Sequence, residues 1–84
     1  MKTKEIIKEI LEENGLSQQA FADIIDVSQK AVSNWINGID TPKASSMIAI
    51  YEKFGVTPNE LLGIEERKYN IHHNIIGNNN KIIF

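Results

Sequence analysis

Eighty-four residues with 42% hydrophobic content and no cysteine suffice for one small domain without disulfides, and they exclude a thiolate metal site. No apolar run reaches the ~20 residues that cross a bilayer, and the acid-interrupted start MKTKEIIKEILEENG is not a secretory leader, so a cytoplasmic protein is expected. The net charge of −2 argues against a nucleic-acid partner on totals alone, but phosphates respond to lysines within about one Debye length, ~8 Å, so distribution decides.

The first helix is expected from about Thr3 to Glu13. Ile6, Ile7, Ile10 and Leu11 recur at helical spacing, with Lys and Glu on the other face. Asn14-Gly15 ends it, Gly15 being free to take a left-handed conformation. Ser17 caps a second helix over Gln18–Ile24, with Phe21, Ala22 and Ile25, together with Ala20 and Ile24, as its core candidates. Asp26-Val27 forms a turn, and Val27 fills the angle between the helices. Ser28 caps a third helix through Ile36, which buries Val32 and Trp35 or Ile36, and Gly38 stops it. Ala31 is small enough for a close helix approach.

The loop at Gly38-Ile39-Asp40-Thr41-Pro42 leads into a fourth helix over roughly Lys43 to Phe54, since proline starts helices but does not continue them. Its apolar set is Met47, Ile48, Ile50, Tyr51 and Phe54, and Gly55 stops it. Thr57-Pro58-Asn59-Glu60 has the form of a capping box and opens a short fifth helix carrying Leu61 and Leu62. Residues 1–63 therefore read as an all-α five-helix bundle. Residues 64–68 read as a charged linker.

Residues 69–84, YNIHHNIIGNNNKIIF, alternate isoleucines about an Asn/Gly centre and read as a β-strand or β-hairpin extension turning near Asn78-Asn79. Tyr69, Ile71, His73, Ile75, Ile82 and Phe84 then share one face. An isolated hairpin is marginal in water, so that face needs cover from the bundle or from a second copy of the chain. Tyr69, Ile71, Ile75, Ile82 and Phe84 are accordingly the candidate oligomerisation residues.

Two helices joined as tightly as the second and third must cross steeply, which is the geometry of a helix-turn-helix whose second helix is presented to a DNA major groove. The charges fit. Acids gather at Glu5, Glu9, Glu12 and Glu13 and again at Glu52, Glu60, Glu65 and Glu66, whereas Ser28 to Ala49 holds Lys30 and Lys43 against Asp40 alone. Gln pairs bidentately with adenine, Lys reaches guanine acceptors, and Ser and Asn serve base edges or phosphates. The helix N-termini at Ser17 and Ser28 add amides suited to phosphate.

The stretch from Ile7 to Gly63 resembles the lambda-repressor/Cro-like helix-turn-helix family, often called XRE. The matching residues are Gly15-Leu16-Ser17-Gln18, Phe21-Ala22, Val27-Ser28, Val32-Ser33-Asn34-Trp35, Asn37-Gly38, Pro42, Phe54-Gly55-Val56 and Glu60-Leu61-Leu62. Their order and spacing are specific although no one element is. The resemblance implies a five-helix fold and an operator-binding repressor or regulator. It places Gln18 against a phosphate and as a brace for the third helix, Gln29, Lys30, Ser33 and Asn34 at base edges, and Asn37 and Lys43 near the backbone at the far rim. With the cap Ser28, these are the candidate DNA-binding residues. Many relatives pair a glutamate at the position of Ile36 with an arginine at that of Leu11. Apolar replacement of both partners implies that these two side chains meet.

The asparagine-rich tail is similar to endings of some phage and prophage repressors. A two-fold operator needs two reading heads, so a homodimer or higher homo-oligomer through 69–84 is expected. Trp35 reads as core rather than as a stacking platform. His72 and His73, adjacent on a strand, face opposite sides and do not form a metal site. No catalytic constellation or cofactor motif is apparent, so no enzyme and no cofactor is expected. Two functions remain: a sequence-specific regulator, most simply a repressor on double-stranded operator DNA, and a protein-interaction module, such as an antitoxin or anti-repressor target, engaging a protein regulator.

Overall fold

Three hydroxyl side chains open three of the helices. Ser17 Oγ accepts the Ala20 amide, Ser28 Oγ accepts the Ala31 amide and Thr57 Oγ1 accepts the Glu60 amide, each at 3.1 Å. Each bond satisfies a backbone donor that the first helical turn leaves without a partner. At Thr57 the exchange is mutual, because Glu60 Oε1 accepts the Thr57 amide at 2.9 Å and closes the capping box.

The computed structural model describes residues 2–67. Within them the order is α1 (Thr3–Asn14), α2 (Gln18–Ile25), α3 (Gln29–Ile36), α4 (Ala44–Phe54) and α5 (Pro58–Leu61). The helices lie where the sequence places them, to within a residue or so at their ends. Gly15, at φ 62°, closes α1 in the left-handed conformation expected of it. Among the described residues there is no strand. The strand or hairpin expected over 69–84, with Tyr69, Ile71, Ile75, Ile82 and Phe84, lies outside them.

All five helices feed one core. α1 contributes Ile6, Ile7 and Ile10, α2 Phe21, Ala22 and Ile25, α3 Val32 and Trp35, α4 Ile50, and α5 Leu61, with Val56 from the loop before it. Burying a side chain of this size contributes about 1.5–3 kcal/mol, so the set is what fixes the helices. α3 packs against both α1 and α2, α4 against α2, and α5 against α1 and α4. Leu11 and Ile36 are both half-buried against this core, on the helices α1 and α3 that pack together.

Three apolar residues assigned to the core from periodicity stand out of it. Ile24 is 40% exposed, Ile48 53% and Tyr51 52%. α2 turns Phe21, Ala22 and Ile25 into the core, and Ile24 lies outside that buried stripe. α4 turns Ser46 and Ile50 inward, and no described helix covers the face that carries Ile48 and Tyr51. Trp35 is 5% exposed, as a core residue should be.

The chain after α5 does not leave the bundle at once. Arg67, in the stretch read as a charged linker, returns to α1. Its guanidinium meets Glu9 at 3.0 Å and Glu13 at 2.6 and 3.1 Å. Glu9 and Glu13 are four residues apart and so lie one above the other on α1.

Candidate nucleic-acid interface

Asp26 closes α2 at φ 62° and ψ 50°, the left-handed region, and only Val27 and the cap Ser28 separate it from α3. Val27 is half-buried against the core and fills the corner. The Val27 amide donates to the Ala22 carbonyl at 3.0 Å, which ties the turn to the helix it leaves. Among the described residues Asp26 is the one non-glycine at positive φ. A side chain here carries steric strain, and its carboxylate sits at the negative end of α2. Asp26→Gly is therefore expected to stabilise the protein by about 1 kcal/mol, with a Tm rise of roughly 4–8 °C in a domain of this size. Thermal denaturation followed by circular dichroism measures it. A fall in Tm would mean that the carboxylate makes a stabilising contact in the turn.

The turn delivers α3 with one face inward and the other outward. Val32 and Trp35 are buried, and Ala31 and Ile36 are half-buried against the core. Gln29, Ser33 and Asn37 step by four along the opposite side, with Lys30 and Asn34 beside them in a parallel row. Ser28, Gln29, Lys30 and Asn37 are exposed, while Ser33 and Asn34 are half-buried at the border of that face.

Two side-chain hydrogen bonds organise the outward face. Gln29 Nε2 donates to Gln18 Oε1 at 3.4 Å, a long bond that joins the first residue of α3 to the first residue of α2. The N-termini of the two helices, with their unpaired amides and positive dipole ends, are thus brought to one neighbourhood. Asn37 Nδ2 donates to Ser33 Oγ at 3.3 Å. Spacing by four on a helix is the one sequence signal for this second bond. The Asn34 backbone carbonyl accepts the Ile39 amide at 2.8 Å and the Asp40 amide at 3.3 Å, which folds the loop back over the end of α3.

Lys43 stands apart from this set as the N-cap residue of α4, exposed and without a side-chain capping bond. Neither Lys30 nor Lys43 is held in an ion pair among the described residues. Asp40 Oδ1 accepts the Thr41 amide at 2.9 Å. The structure thus brings Gln18 and Gln29 together, and Ser33 and Asn37 together. Lys30, Asn34 and Ser28 share the α3 surface without a mutual side-chain bond, and Lys43 occupies a separate rim.

No described helix is long and apolar enough to cross a membrane. No curated protein and no solved structure matches the chain. A helix-turn-helix family model matches residues 7–61, which run from within the first turns of α1 to the last residue of α5. The match covers well over half of the chain and includes the whole α2–turn–α3 unit. The chain belongs to the XRE-type, lambda-repressor/Cro-like helix-turn-helix family of DNA-binding transcription regulators.

Proposed function

We propose that the protein is a repressor that binds a two-fold operator as a homodimer, with α3 of each copy in the major groove. In this reading Gln29, Lys30, Ser33 and Asn34 meet base edges. Gln18, Ser28, Asn37 and Lys43 hold the flanking phosphates. The extension over 69–84 joins the copies, with the bundle of 1–63 as reading head and 64–68 as connection. The observation that carries it is the division of α3: Val32 and Trp35 anchor the helix in the core while Gln29 and Lys30 stay exposed beside the braced N-terminus of α2.

The convergence of two helix N-termini supports phosphate contact at that end of the head. A single head of this size makes few base contacts, and pairing two of them multiplies specificity at high effective concentration. Selection of bound duplexes from a random-sequence pool by the full chain tests the reading. The expected result is a motif with two-fold symmetry and half-sites about one helical turn apart. Sedimentation should show a dimer that becomes a monomer when the chain ends after Lys68. Absence of any enriched motif would overturn DNA recognition. An enriched single half-site bound by a monomer would overturn the dimer.

A further inference from the structure

The segment that follows α5 comes close to the α1 region at two separate places. Gly63, at φ 79°, sits so close to the start of α1 that a β-carbon on it would lie 3.4 Å from the Lys2 β-carbon. Arg67 then reaches Glu9 and Glu13 further along the same helix. Nine residues of helix, from Lys2 to midway between Glu9 and Glu13, rise about 13 Å. The four steps from Gly63 to Arg67 span at most about 13–14 Å when extended. The chain does not run extended between them: it turns through residues 62–65, where the Ile64 and Glu65 amides donate to the Asn59 carbonyl at 2.8 and 3.1 Å, so this part folds over the end of α5 and the long Arg67 side chain completes the reach to α1. A groove of about 570 Å³ lies between this segment and α1, lined by Glu5 and Glu9 of α1 and by Gly63, Glu65 and Arg67.

The far anchor is strong for a surface pair. The Arg67 side chain is 11% exposed, its fork takes both oxygens of Glu13, and Glu9 adds a third bond. A planar guanidinium holding two carboxylates in this way has one orientation, whereas an exposed lysine–carboxylate pair samples many. The two glutamates would repel each other on one helix face without it. Arg67 stands two residues ahead of the extension expected over 69–84.

We propose that Arg67, Glu9 and Glu13 form a clasp that ties the chain after α5 back to α1, fixes where the C-terminal extension departs from the reading head, and so sets the distance between the two heads on DNA. Arg67 is a positioning residue here and does not touch DNA. The last part rests on the dimeric operator reading above.

The chain has no cysteine, so Lys8→Cys on the exposed face of α1 and Lys68→Cys just past the clasp accept spin labels cleanly. Labelled chains diluted into unlabelled ones report the distance within one chain by pulsed electron resonance. A narrow distribution is expected for the labelled parent, and one at least twice as wide after Arg67→Ala, Arg67→Lys or the pair Glu9→Gln/Glu13→Gln. The lysine and glutamine variants preserve side-chain bulk and keep the test open if Arg67→Ala fails to fold. Equal widths in parent and variants would overturn the clasp.

The same proteins are then titrated against symmetric operators whose central spacer changes one base pair at a time. The parent should prefer one spacing by about tenfold, and the variants should bind all spacings within about threefold. Broadened distances with an unchanged spacing preference would overturn the link to operator geometry. A parent without any spacing preference would instead count against the dimeric reading, while the distance widths decide the clasp by themselves.

Discussion

Replacing Phe21 with alanine is expected to destabilise the protein by about 3–5 kcal/mol. Phe21 is fully buried and heads the set of largest buried side chains. Its ring meets Phe54 at a centroid distance of 5.3 Å and an interplanar angle of 34°, a tilted arrangement that adds to the area term. The position is central, because α2 packs against both α3 and α4. A helical domain of some sixty residues has roughly 3–9 kcal/mol of total stability, so the loss is comparable with everything the fold has. Urea denaturation followed by circular dichroism should show the variant largely unfolded at 37 °C. Ile48→Ala and Tyr51→Ala are the controls, since each residue is more than half exposed, and each should stay within about 0.5 kcal/mol. A cooperative Phe21→Ala transition at the parent's midpoint would mean that α2 is not the centre of the core.

That contrast marks what the sequence could and could not disclose. The caps Ser17, Ser28 and Thr57 were legible because the hydroxyl and the amide it accepts lie three residues apart, and such bonds need nothing beyond the local backbone. The buried rows of α1 and α3 were legible for a related reason: three isoleucines at helical spacing, or Val32 with Trp35, define one stripe. Ile24, Ile48 and Tyr51 were misplaced because periodicity says which side of a helix is apolar and not how many neighbours come to cover it. Arg67 was out of reach altogether. Its partners lie 58 and 54 residues earlier, and a charged residue in a charged run looks the same whether solvated or clasped. The Gln18–Gln29 bond falls between these cases. It spans 11 residues across a two-helix turn, so it could be expected from the family resemblance, while the local pattern alone carries no sign of it.

Gln29→Ala and Lys30→Ala should weaken operator binding in two distinguishable ways. A glutamine amide that reads a base edge through two hydrogen bonds discriminates by about 1–3 kcal/mol, and a dimer makes that contact twice. The Gln29 variant is therefore expected to lose roughly 30-fold or more on the selected operator, while its affinity for random duplex is unchanged. Removing Gln29 also removes the donor to Gln18 Oε1, so Gln18→Ala should reproduce part of the loss through the brace. Lys30 acts as a charge as well as a reader. With Lys30 and Lys43 of both copies near phosphate, log affinity should fall with log salt at a slope of about −3.6, which is roughly a 10²-fold loss between 50 and 200 mM salt. Lys30→Ala should halve that slope, whereas Gln29→Ala should leave it alone. The slope is modest because the chain is acidic overall, at −2, and its unpaired lysines at α3 and at the start of α4 are few. Fluorescence anisotropy across a salt series separates the two effects. If both variants bound the operator as the parent does, at every salt concentration, the outward face of α3 would not be the reading surface.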